Sequence, residues 1–136
     1  MIEYFYMEKI DLINYWIKTS DNDFKTMQNL FSSNDYSWSL FVGHLVIEKL
    51  LKALYIKEKN ETPPFTHDLN RLANKIGIEI NDKKADKLDM ITKFNISGRY
   101  PDYKMEFRKI CTKEFTENQI NEIKDLRQWL KKLIKQ

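Results

Sequence analysis

The stretch WSLFVGHLVIEKLLKALYIKE, residues 38–58, decides the fold. No proline interrupts it and its one glycine is Gly43, so at about 1.5 Å per residue it runs as one helix of roughly 30 Å. At helical periodicity, Leu40, Val42, Leu45, Val46, Ile47, Leu50, Leu51, Ala53, Leu54 and Ile56 spread around most of its circumference. A helix apolar on most sides has to be buried. The exception is a narrow strip through Phe41, His44, Glu48, Lys52 and Tyr55, with Lys49 beside it. That strip is either a wet seam carrying a Glu48–Lys52 ion pair or the floor of a site.

Working outward, the 136 residues fit a single domain, 1–136, large enough to bury a core without staples. Apolar residues make up 42% and charged residues 32%, a globular rather than a disordered balance. His44, Glu48, Lys49 and Lys52 cut the longest apolar run, which excludes a membrane span and leaves no membrane partner to expect. Glu3 and Glu8 near the amino end, with no small-residue cleavage site, argue against a secretory signal. The single cysteine, Cys111, fits a reducing cytoplasm. One cysteine and two histidines are too few for a zinc site, and no sequence feature calls for a metal or cofactor. A net charge of +3 neither demands nor forbids an anionic partner.

Taken in order, Ile10, Ile13 and Ile17 with Trp16 predict a short first helix over 8–18. Ser20 followed by Asp23 resembles the cap of a second helix carrying Phe24, Met27, Leu30 and Phe31, which Ser32, Ser33 and Asn34 end. Asp35 caps the central helix, and so short a connection packs it antiparallel to the second. Pro63 and Pro64 lie in the segment that ends the central helix. Thr66 then caps a fourth helix bearing Leu69, Leu72, Ala73 and Ile76, closed by Gly77. Asn81 or Asp82 starts a fifth with Ala85, Leu88, Ile91 and Phe94, ending near Gly98. Residues 99–113 show no clean period and read as an ordered loop or a loop with a partial turn. Thr116 and Gln119 form a capping box for the last helix, whose inward face is Ile120, Ile123, Leu126, Leu130 and Leu133. With no alternating strand pattern, the fold class is all-α: an up-and-down bundle of five to six helices.

Three constellations carry chemistry. His67 and Asp68 open the fourth helix, where backbone amides and the dipole favour a phosphate; equally, Asp68 complements the dipole and His67 packs on the prolines. Residues 99–113 set Arg99, Lys104, Arg108, Lys109 and Lys113 against Asp102 and Glu106 and interleave Tyr100, Tyr103 and Phe107, a mixture suited to single-stranded nucleic acid or a nucleotide and also common in plain surface loops. Pro101 fixes the corner that carries Arg99. The strip His44, Glu48 and Lys52 is the third; an imidazole tuned by a carboxylate can serve acid–base chemistry, and the same trio can be structural. No glycine-rich phosphate loop and no serine or cysteine nucleophile signature is present.

Glu48-Lys49-Leu50-Leu51-Lys52-Ala53-Leu54, then the proline turn into Thr66-His67-Asp68-Leu69, then Arg99-Tyr100-Pro101-Asp102, come in an order and spacing that resemble the HEPN domain family. The resemblance covers nearly the whole chain. It implies a helical bundle that forms a homodimer and acts with a separate minimal nucleotidyltransferase, in toxin–antitoxin or defence systems. It also implies nucleotide or RNA binding, and in many members metal-independent RNA cleavage through an arginine followed four to six residues later by a histidine. Here no histidine follows Arg99. The resemblance therefore carries over Arg99, Tyr100 and Asp102 as family-like positions without the ribonuclease motif. The resulting expectation is a non-catalytic binding module using Arg99, Lys49, Lys52 and the amino end of the fourth helix at His67 and Asp68. The rival expectation is a divergent ribonuclease using His44 or His67, and a third is a protein-interaction subunit.

Overall fold

A computed structural model describes the backbone of residues 2–136 and the side chains of residues 8–100 and 102–136. From the amino end the chain runs as one helix, α1 (Ile2–Ser32), where two were expected. The polar cluster around residue 20 does not break it, because its members find partners that keep the backbone helical. Thr19 and Thr26 donate to the carbonyls one turn back, of Tyr15 and Asn22. Asp21 meets Arg127 and Lys131, and Asp23 meets Lys49 at 2.6 Å. Ser20 is fully buried mid-helix, where its Oγ donates to the carbonyl of Val46 at 2.8 Å. Tertiary partners have overridden a local capping preference.

After a turn through Asn34, whose φ is 66°, α2 (Tyr36–Lys59) returns along α1; Asp35 occupies its N-cap position, but its carboxylate accepts from Ser33 Oγ and makes no capping bond to the helix amides. Ser39 of α2 donates to the Met27 carbonyl of α1 at 2.8 Å, reciprocating the Ser20 bond. The all-round apolar reading of α2 holds: Leu40, Val46, Ile47, Leu50, Leu51, Ala53, Leu54 and Ile56 are buried. It is the central post, packed by α1, by α3 (Leu69–Ile76), by α4 (Asp82–Arg99) and by α6 (Lys113–Lys135). Gly43 permits this crowding. A Cβ there would lie 2.6 Å from Cδ1 of Ile123 on α6 and 3.1 Å from Sδ of Met27 on α1.

Caps set the remaining elements. Asp68, not Thr66, is the N-cap of α3 and accepts from the Arg71 amide; Thr66 Oγ1 instead accepts from the Asp68 amide, shaping the turn that leads in. Gly77 ends α3 in the left-handed region at φ 86°, and Asn81 caps α4 by accepting from the Lys84 amide. The segment expected to be a loop contains a helix, α5 (Pro101–Ile110). Pro101 disfavours helical geometry at Tyr100, which ends α4, and then serves as a first helical residue where no amide is missed. Asp102 in its first turn and Arg108 and Lys109 in its last complement the dipole. Phe107 is the buried anchor of α5, with its ring 5.7 Å from that of Phe94. Thr112 caps α6 one turn before the expected Thr116, which is buried inside the first turn of that helix. All six elements among the described residues are helices, and none is long and apolar enough to cross a membrane.

Candidate functional site

Glu48 sits on the polar strip of α2 with its side chain only 5% exposed. A buried carboxylate needs compensation, and it has two partners. One oxygen accepts from Nδ1 of His67 at 2.6 Å and the other from Nζ of Lys52 at 3.0 Å. Burial by itself would raise the carboxyl's pKa. The hydrogen bonds from His67 and Lys52, with the neighbouring His44, outweigh that and hold it below its ordinary value. Lys52 also lies 5.2 Å over the Trp16 ring of α1.

His44, one turn before Glu48, is completely buried. Its Nε2 donates to the backbone carbonyl of His67 at 2.8 Å, tying the turn before α3 to the central helix. Its Nδ1 faces the Asn95 amide nitrogen at 3.4 Å. Asn95, buried on α4, in turn accepts from Nε of Arg99 at 3.1 Å through its oxygen. These partners assign His44 as the neutral Nε2–H tautomer, accepting at Nδ1. Burial lowers its pKa, more than the His67 carbonyl and Glu48 restore.

The result is a continuous run of polar contacts, Lys52–Glu48–His67–His44–Asn95–Arg99, drawn from α2, α4 and the turn before α3. Lys52 and Glu48 close its inner end, His44 and Asn95 are buried, and it meets solvent at Arg99 and at His67. Arg99 is exposed and lies 5.6 Å over the Phe41 ring, and the His67 side chain is 36% exposed beside Phe65. With Nδ1–H of His67 committed to Glu48, its Nε2 is the nitrogen left to meet a ligand or a proton.

The expected site residues separate into groups. Arg99 and His67 belong to this run, joined through His44 and Asn95, and Lys52 lies buried at its inner end. Tyr100 is 55% exposed next to Arg99, and Asp102 is exposed in the first turn of α5. Lys49 points elsewhere, paired with Asp23 on α1. Asp68 is committed to capping α3, and the Leu69 amide already donates to Thr92 Oγ1, so the chain's own oxygens close most of that helix end. His67 does not simply pack on the prolines. Sequence reasoning missed Asn95. The available signal was its position four residues before Arg99, on the same face of α4.

The sequence matches the HEPN domain family over residues 13–133. The chain belongs to the HEPN domain family. Among solved structures it is similar to TT1696 from Thermus thermophilus, with a TM-score of 0.77 at 16% identity, covering 89% of this chain and 97% of that one. That likeness is one of fold. No curated protein matches the sequence.

Proposed function

We propose that the protein is a nucleotide- or RNA-binding module that takes a phosphate at Arg99, with His67 as the second solvent-facing member of the same polar run. The observation that supports this most directly is the Arg99–Asn95–His44–His67 relay. A guanidinium held through its Nε keeps its remaining donors for an anion, and the rigid support lowers the ordering cost of binding. In keeping with its family, we propose that it works as a homodimer beside a separate nucleotidyltransferase chain in a toxin–antitoxin or defence setting. The test is binding of labelled single-stranded RNA and of ATP in metal-free buffer by the wild type and by Arg99→Ala. The expected result is a loss of at least about tenfold in affinity, as for a charge-assisted phosphate contact, with the helical spectrum retained. Unchanged binding would remove Arg99 from the site.

One observation favours a second reading, metal-independent cleavage of RNA. Glu48 orients His67 as a carboxylate orients an imidazole in acid–base catalysis, leaving Nε2 to move a proton while Arg99 steadies charge on the phosphorane. Cleavage in the same samples that disappears in both His67→Ala and Arg99→Ala would establish it over simple binding.

A further inference from the structure

Beyond Arg99 the contacts continue along the surface. Gly98 lacks a Cβ, which would lie 2.6 Å from Cδ2 of Phe41, so that side chain packs closely against the end of α4. Arg99 caps one side of it, and Trp38 meets it edge-on at 5.8 Å. Lys104 of α5 lies 5.2 Å over the Trp38 ring. Between α2, the end of α4 and α5 is an open cavity of about 190 Å³, whose lining includes Trp38, Gly98, Lys104, Met105, Phe107 and Arg108. Among the described residues, the lining holds two cations and no carboxylate. Its size is below the roughly 300–1,000 Å³ of pockets that enclose a drug-sized ligand, so it takes one planar group.

The exposed side chains here also differ from an ordinary surface. Trp38 is 50% and Met105 65% exposed, both lining the cavity, and Tyr100 and Tyr103 are exposed at the junction of α4 and α5. Large apolar groups gathered in this way mark an interaction site. The mixture discriminates among partners: π-faces next to Lys104 and Arg108 offer stacking and phosphate neutralisation together, which a purely apolar protein contact does not require.

Resting on the phosphate-binding reading of Arg99, we propose that this cavity is a base-stacking subsite for single-stranded nucleic acid. One base lies on Trp38, Lys104 and Arg108 neutralise the phosphates flanking it, and Arg99 holds the phosphate next in line. The substrate class is thereby a strand rather than a free mononucleotide.

The experiment compares an oligouridine with an abasic ribose-phosphate strand of the same length and charge, binding each to the wild type, Trp38→Ala, Trp38→Phe, Lys104→Gln/Arg108→Gln and Arg99→Ala. Trp38→Ala should weaken oligouridine roughly 5- to 150-fold, the range for losing one stacked base, and leave the abasic strand unchanged; Trp38→Phe should recover most of the loss. The double glutamine variant should reduce the salt slope of log K by about 1.4, that is about 0.7 for each single-strand phosphate contact. If Arg99→Ala weakens both strands while Trp38→Ala weakens neither, or both alike, the subsite is overturned and the Arg99 reading stands. Should neither strand bind the wild type, both fall. A change of oligomeric state in Trp38→Ala with RNA binding intact would overturn the subsite and assign the patch to protein contact.

Discussion

Nδ1 of His67 lies 2.6 Å from Oε1 of Glu48, although they are 19 positions apart, one in the turn before α3 and the other on α2. The carboxylate is buried, the imidazole is partly exposed, and the bond fixes which ring nitrogen faces outward. Removing either partner should therefore disturb more than one contact. Glu48→Ala leaves Lys52 enclosed without its counter-charge and should cost about 3–5 kcal/mol, as for a broken buried pair. Glu48→Gln, which keeps the shape, should cost less. A double-mutant cycle with His67→Ala, read by urea denaturation, should give a coupling of about 0.5–3 kcal/mol; a coupling near zero would mean that the bond contributes nothing in solution.

His44 gives the stability a specific pH dependence. Burial depresses its pKa in the folded protein, so between that value and about 6.5 the unfolded chain binds a proton that the native chain refuses. Stability is then complete above about pH 6.5 and falls as the pH drops through this window, by up to about 1.4 kcal/mol per pH unit. Glu48, also depressed, acts with the same sign lower down, since the unfolded carboxylate protonates from about pH 4.3. In urea melts across pH 4–8, His44→Gln should flatten the upper window and leave the lower one. A wild-type curve that is level from pH 7 to pH 5 would contradict the assignment of His44 as neutral.

Gly43 is the point where three helices meet. Alanine gains about 1 kcal/mol over glycine in a helix interior, but its Cβ would strike the Ile123 Cδ1 carbon. Overpacking costs about 1–3 kcal/mol, so Gly43→Ala should be net destabilising. Valine lacks that terminal carbon. The Gly43→Ala/Ile123→Val double variant should accordingly be more stable than the sum of its singles, as measured by chemical denaturation; strict additivity would show that the contact yields freely.

Ser20 of α1 donates to the Val46 carbonyl of α2, and Ser39 of α2 donates to the Met27 carbonyl of α1, both in a buried setting. Each serine-to-alanine change should cost about 1 kcal/mol. Ser32→Ala, whose hydroxyl bonds to the Gln28 carbonyl at the exposed end of α1, should stay within about 0.5 kcal/mol of wild type. Equal effects at all three positions would count against the interhelix bonds as a register device.

The helical class, the buried character of α2, the caps at Asn81 and Gly77 and the inward face of α6 were all legible because each is written in local periodicity or in one residue's preference. Two segments misled, each for its own physical reason. Ser20 to Asp23 has the composition of a helix start, and only Arg127, Lys131, Lys49 and the Val46 carbonyl, all distant in sequence, hold it inside α1. The stretch after Arg99 buries Phe107 while leaving Tyr103, Met105 and Ile110 exposed, so its inward face is too narrow to show as a period.

Within the site, the sequence supplied His44, Glu48 and Lys52 as one strip of a helix, and Arg99 as a constrained cation, because helical spacing and a proline are local facts. It could not supply the partnership of His67 with Glu48, nor the amide of Asn95 between His44 and Arg99. Those contacts depend on where the turn before α3 and the end of α4 come to rest against α2, and a single sequence carries no distance between elements. The tertiary structure also separated Lys49 and Asp68 from the run, by giving each a nearer opposite charge or backbone donor. Residue type determined which groups were available for chemistry, and packing against α2 decided which of them met.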